Sequence, residues 1–163
     1  MKRILFALVT LFVLAGCELD PNPSYYHAPT IGNIVVTPEA TTITANDQIT
    51  VTANVVNYHG KGFACVKYWV FKSNLITDQT KTKFQNEVLY AWEEPTEEGK
   101  EGSWKKIVSM KHTDTVEIIG TAVHPFEAVI PNQKKGNTIL FRVYCVSEYG
   151  MFTNSDEYTY IVQ

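Results

Sequence analysis

Along residues 48–57 the chain alternates strictly, with Ile49, Val51, Ala53 and Val55 on one side and Thr50, Thr52 and Asn54 on the other. A period of two is the mark of a strand with one buried and one wet face. Further runs rich in β-branched and aromatic residues span 33–37, 64–72, 87–92, 104–111, 115–119, 125–130, 138–147 and 155–162. His59-Gly60-Lys61-Gly62, Lys135-Gly136-Asn137 and Tyr149-Gly150 punctuate them with residues that tolerate positive φ. Nowhere do apolar residues recur at helical spacing over three turns. The pattern predicts an all-β chain of many short strands, which is the signature of a two-sheet sandwich.

Side-chain parity sharpens the prediction. With Val66, Tyr68 and Val70 pointing into the core, Cys65, Lys67, Trp69 and Phe71 point outward. In the run 138–147 the inward set is Phe141, Val143 and Cys145, and Leu140, Arg142, Tyr144 and Val146 face out. If these two strands are neighbours, one outer sheet face collects Trp69, Phe71, Leu140, Tyr144 and Val146, a patch larger than a soluble monomer normally leaves bare. Two arrangements fit. In one, the segment carrying Val88, Leu89, Tyr90, Trp92, Ile107, Val108 and Met110 folds over the face. In the other, Trp69, Phe71 and Tyr144, with Trp92 and Trp104 at the margin, form a binding surface, since aromatic side chains dominate such contacts. The same parity sets Cys65 and Cys145 on opposite faces, where they cannot meet the geometry of a disulfide.

The last forty residues carry a resemblance. Phe126-Glu127-Ala128-Val129-Ile130-Pro131, then Gly136 to Cys145, then Tyr149-Gly150 and a closing Tyr158-Thr159-Tyr160-Ile161-Val162 look like strands E, F and G of an immunoglobulin-like or fibronectin type III-like module of bacterial surface lipoproteins. The resemblance implies an immunoglobulin-like two-sheet sandwich over 31–163, with an inserted β-hairpin region between the third strand and the E-like strand. It departs from the family in three ways. The second strand has no cysteine, Phe141 stands where a corner tyrosine is expected, and the segment is some 35 residues longer than a bare fibronectin module.

The N-terminus is different in kind. Lys2-Arg3 precedes an apolar run from Ile4 to Leu14 broken only by Thr10, and Ala15-Gly16-Cys17 follows. This is the layout of a signal peptide, and the run is too short for a helix that must cross a hydrocarbon core of about 30 Å. Leu14-Ala15-Gly16-Cys17 resembles the lipobox of bacterial lipoproteins. The resemblance implies removal of 1–16, a diacylglyceryl thioether on Cys17, usually an N-acyl chain, and firm membrane attachment. Glu18 stands where an aspartate signals inner-membrane retention, which favours the outer membrane, on either its periplasmic or its surface side. Glu18 and Asp20 loosely resemble the acidic export tags of Bacteroidetes surface lipoproteins. Residues 17–30, with Pro21, Pro23 and Pro29 and no periodicity, read as the lipidated cysteine and a flexible tether reaching on the order of 40 Å.

Charge and chemistry narrow the function. Without Lys2 and Arg3, twelve basic residues face seventeen acidic ones, a net charge near −5 with no long basic cluster, which argues against a nucleic-acid partner. His27, His59, His112 and His124 share no metal-ligand spacing, and no metal or other cofactor is expected. Ser103-Trp104-Lys105-Lys106 matches S-x-x-K, but a strand sends Ser103 and Lys106 to opposite faces. Glu93, Glu94, Glu97, Glu98 and Glu101 read as a solvated hairpin tip rather than a calcium site. Asp114-Thr115-Val116 resembles the O-glycosylation sequon of the Bacteroidetes, which makes Thr115 a candidate modification site.

No catalytic constellation emerges. The sequence points to a non-catalytic binding or accessory module, held at the membrane by lipid, with a glycan or an envelope protein as partner. The alternative is a structural subunit of a surface assembly or uptake complex joined through sheet edges.

Overall fold

The computed structural model describes residues 27–163. Residues 1–26, which hold the expected signal peptide, Cys17 and most of the expected tether, lie outside the described residues. In chain order the strands are β1 (Thr30–Thr37), β2 (Thr42–Ile43), β3 (Ile49–Val56), β4 (Lys61–Lys72), β5 (Thr82–Gln85), β6 (Val88–Glu93), β7 (Ser103–Ser109), β8 (Lys111–His112), β9 (Val116–Ile119), β10 (Val123–Ile130), β11 (Asn137–Ser147), β12 (Phe152–Asn154) and β13 (Tyr158–Val162). One 3-10 turn, Ser73–Leu75, follows β4.

Two sheets form the sandwich. The first has the order β1-β3-β10 and the second β2-β13-β11-β4-β8, with β12 on β11 and β9 on β4. All pairings are antiparallel except β2 with β13. The alternation in β3 emerges as predicted: Ile49, Val51, Ala53 and Val55 are buried and the residues between them are half-buried. They meet Phe126 and Ile130 of β10 and, across the sandwich, Val66, Tyr68, Phe141, Val143 and Tyr160. Each fully buried aliphatic or aromatic side chain here contributes about 1.5–3 kcal/mol of hydrophobic stabilisation. Phe141, where a corner tyrosine was expected, is fully buried and stacks on Tyr158 with ring centroids 5.1 Å apart. The hydroxyl that reaches back to the chain comes from Tyr160, which donates to the Pro38 carbonyl at 2.6 Å.

The segment between β4 and β10 is more than an inserted hairpin. Its strands β5, β6 and β7 form a third, three-stranded antiparallel sheet, and β8 and β9 extend the second sheet at the β4 edge. β5 escaped notice because Thr82-Lys83-Phe84-Gln85 holds a single apolar residue. Lys61 and Gly62, read as part of a turn, belong to β4, where Gly62 pairs with Ser147. The run 104–111 is split at Met110 into β7 and β8.

The sandwich has two distinct ends. At one, the chain enters at His27, where Thr153 Oγ1 donates to the Pro29 carbonyl and the rings of His27 and Tyr58 lie 5.6 Å apart. Loops 57–60, 120–122 and 148–151 gather at this entry end. There Gly120 N donates to Gly60 O at 3.0 Å and Glu148 N to Lys61 O at 2.8 Å. At the far end Ser73 N donates to Gly136 O at 3.0 Å and Gly136 N to Val162 O at 2.8 Å, so the C-terminus and the loop after β4 meet there. Strand β4 runs between the two ends, a span of roughly 36 Å at 3.3 Å per residue.

Candidate functional site

The third sheet folds over the far half of the second sheet's outer face. Its first hairpin turns at Asn86-Glu87, with φ of 50° to 60° at both residues, the conformation of a two-residue type I′ turn. Gln85 pairs with Val88, and Phe84, Leu89 and Val108 fall in register on one face. That face turns toward the sandwich. Trp69, Phe71, Leu140 and Leu89 form a second buried cluster, flanked by Ile76, Ile107, Val108 and Met110. The Trp69 and Phe84 rings meet edge to face at 5.3 Å.

Polar contacts hold the cover down. The Glu87 carbonyl accepts from Trp69 Nε1 at 3.1 Å and from Met110 N at 2.9 Å. The Glu87 carboxylate pairs with Lys67, whose ammonium sits 3.6 Å above the Tyr144 ring.

The aromatic binding surface drawn from parity is therefore divided. Trp69 is 3% exposed and Phe71 6%, so neither is available to a ligand; the cause is the apolar face of β5–β7 laid over them. Tyr144 is half-buried beneath Lys67 and lies beyond the cover, with Phe152 6.0 Å away. Trp92 and Trp104 form a cross-strand pair on β6 and β7, edge to face at 5.3 Å, and Lys83 lies 4.8 Å from the Trp104 ring. Thr115 is exposed in the link between β8 and β9. Of the five aromatic residues, only Trp92 borders the cleft described below.

That cleft, of about 430 Å³, opens at the far end between the loop after β4 and the tip of β6–β7. Leu75, Ile107 and Trp92 supply its apolar lining. Asn74, Thr77 and Gln79 bring amides and a hydroxyl to it from the loop, and Glu93, Glu94 and Lys105 bring charges from the strands. Ala91, Glu93 and Lys105 share the face of Leu89, which is why they turn toward the loop. Thr80 Oγ1 accepts from Thr77 N at 2.9 Å and closes the loop into a turn. Lys105 Nζ lies 3.1 Å from Glu93 Oε1, and Lys106 offsets Glu94 on the same side of the cleft. The loop residues were missed because 73–81 has no periodicity and no motif of its own. A run of Asn, Thr and Gln beside a long strand is the one sign that marks it.

Among the described residues, no three His, Cys, Asp or Glu side chains converge as a metal site. The acidic tip carries local pairs instead, Lys100 with Glu97 at 3.4 Å besides Lys105 with Glu93. Cys65 and Cys145 are both free and buried, on opposite faces of the second sheet. Burial pushes the Cys65 thiol up, and burial with the neighbouring Cys65 pushes Cys145 up to about 12. Such thiols stay protonated and are poor nucleophiles.

Residues 1–17 match the family model of the prokaryotic membrane lipoprotein lipid attachment site, a match that ends on Cys17. This supports a membrane-anchored lipoprotein. No curated protein matches the chain. Among solved structures, the sporulation control protein Spo0M of Bacillus subtilis is similar at 8% identity and a TM-score of 0.45; the alignment covers 84% of this chain and 50% of Spo0M, so the chain spans half that protein's length. The Northeast Structural Genomics Consortium target SoR45 is similar at 9% identity and a TM-score of 0.33, over 83% of this chain and 88% of that one.

Proposed function

We propose that this protein is an outer-membrane lipoprotein whose sandwich, with the immunoglobulin-like strand order, holds a binding cleft away from the bilayer and takes a glycan there without catalysis. The strand order supports the immunoglobulin-like reading: β1, β3 and β10 correspond to strands A, B and E, and β13, β11 and β4 to G, F and C. Residues 1–16 would be the signal peptide, 17–30 the lipidated cysteine and tether, and 31–163 the sandwich with its added sheet. Glu18 after the cysteine supports outer-membrane placement.

The observation that carries the glycan reading is the make-up and position of the far-end cleft. An apolar lining with Trp92, bordered by the amides of Asn74 and Gln79, suits a sugar ring that presents one apolar face and a rim of hydroxyls. Neither amide side chain has a hydrogen-bond partner among the described residues, so both keep their donors and acceptors for a ligand. The volume lies within the usual range of about 300–1,000 Å³ for small-ligand sites. A glycan array probed with the mature chain carrying Cys17→Ser tests the reading. Binding that disappears in Trp92→Ala supports it. Silence across the array, together with a stoichiometric protein partner recovered from membranes, would replace it with the structural-subunit reading. The eight-residue edge of β10, unpaired on its outer side among the described residues and with Val129 42% exposed, favours that second reading; Pro125 within the edge opposes it by removing a donor.

A further inference from the structure

Exposed large apolar side chains occur along the whole sandwich, Val35, Phe84, Val129 and Ile161 among them, and one group of them surrounds the entry end. Val123 is 61% exposed, Ile119 and Phe152 58%, Phe63 41%, Met151 37% and Tyr58 36%. All six belong to the entry end. Tyr58 lies in loop 57–60, Ile119 and Val123 flank loop 120–122, Met151 and Phe152 follow loop 148–150, and Phe63 is the third residue of β4. The ladder pairs fix this grouping: Val123 and Thr30 both pair with Val56, Ile119 with Lys61, and Phe152 with Val146, itself opposite Phe63. Phe63, Ile119 and Phe152 project from the outer face of the second sheet and Val123 from that of the first, so the group forms an apolar rim around this end, of the kind that meets something other than water.

We infer that this end of the sandwich lies in the interfacial layer of the membrane to which the chain is anchored, with these side chains in contact with lipid. The inference rests on the lipid anchor and not on the ligand assigned to the cleft.

The occupant follows from where the chain enters. His27, the first described residue, packs against Tyr58 at this same end. Nine residues, or ten residue steps, separate it from Cys17, a fully extended reach of at most about 36 Å. The tether therefore holds the apolar end within reach of the bilayer at high effective concentration, so that a contact too weak to recruit a free protein is populated. Tyrosine and phenylalanine are the side chains that favour the headgroup boundary. The charges at this end do not favour an ionic attachment: Lys61 pairs with Glu117 at 3.1 Å, and Glu148 adds a carboxylate in loop 148–150. Contact is apolar, and it should be insensitive to salt. In this pose the cleft stands roughly 36 Å out from the headgroups, the length of β4.

The test uses the lipidated mature protein in vesicles of phosphatidylethanolamine and phosphatidylglycerol with brominated acyl chains. Phe152→Trp and Ile119→Trp put an indole at the entry end and Leu75→Trp puts one at the far end; all three sites are exposed, and the native tryptophans are a constant background. Flotation with the vesicles first reports that each protein is anchored. The expected result is at least twofold quenching and a blue shift of the added emission at 152 and 119, no change at 75, and the same pattern in 1 M salt. Equal emission at all three positions overturns the inference, as does a mature protein that fails to float. A Cys17→Ser protein that dimerises until Phe152→Ser makes it monomeric would give this end to a second copy and overturn it equally.

Discussion

The indole N–H of Trp69 donates to the backbone carbonyl of Glu87 at 3.1 Å, and the same carbonyl accepts from Met110 N at 2.9 Å. A residue in the centre of the second sheet thus holds the turn of a separate sheet, and the hydrophobic cluster beneath depends on that hold. Removing the Trp69 ring should empty the space between β4 and β6. Trp69→Ala is expected to destabilise the protein by about 3–5 kcal/mol and Trp69→Phe by about 1–2 kcal/mol, read from urea denaturation. A loss under 1 kcal/mol for the alanine variant would mean that the cover is not closed in solution.

The turn itself gives a second prediction. Asn86 and Glu87 hold φ of 51° and 60°, where Asn is tolerated and a β-branched residue is strained. Asn86→Gly should leave stability within about 0.5 kcal/mol, whereas Asn86→Val should cost about 1–2 kcal/mol. If the turn anchors the cover, the valine variant will also shift tryptophan emission to the red. Equal stability of the two variants would count against this.

The two thiols set an alkaline limit. Folding raises the pKa of Cys65 and takes Cys145 from 9.0 to about 12, in both cases chiefly by burial. The unfolded chain therefore releases these protons first. This contribution to stability is complete below pH 9 and declines as pH rises from about 9 toward 12. Tyr160, also pushed up by burial, acts in the same direction above pH 10. Denaturation midpoints of Cys65→Ala and Cys145→Ala variants should fall less steeply above pH 9 than those of the parent. At pH 8 both thiols should resist alkylation until the protein unfolds.

The cleft predicts a graded loss of binding. Gln79→Ala and Asn74→Ala each remove an amide that has no partner among the described residues, so folding should be unaffected. For a glycan selected on the array, each should weaken binding by about tenfold, the equivalent of one or two lost hydrogen bonds. Trp104→Ala, outside the cleft lining, should change affinity by less than threefold. Titration calorimetry on the three variants checks the ordering, and a larger effect from Trp104 would move the site to the outer face of β6–β7.

What the amino-acid order determined by itself was whatever depends on near neighbours in the chain. The alternation in β3, the parity of β4 and β11, the separation of Cys65 from Cys145 and the basic-apolar-Cys17 signal are all local patterns, because a strand's two faces and a processing site are defined by a few consecutive residues. The weak strands Thr42–Ile43, Thr82–Gln85 and Phe152–Asn154 left no such trace, since pairing with a neighbour, and not their own side chains, makes them strands. Only the tertiary structure decided between a covered and an open sheet face. Trp69 and Phe71 look the same in the sequence either way, and the outcome depends on Leu89 and Val108 returning from at least eighteen residues along the chain to exclude water from them. Tertiary structure also brought Tyr58, Ile119, Val123 and Phe152 to the end where the described chain begins at His27 and left the cleft at the other. That separation comes from the antiparallel ladder, which alternately carries successive loops to opposite ends of the sandwich.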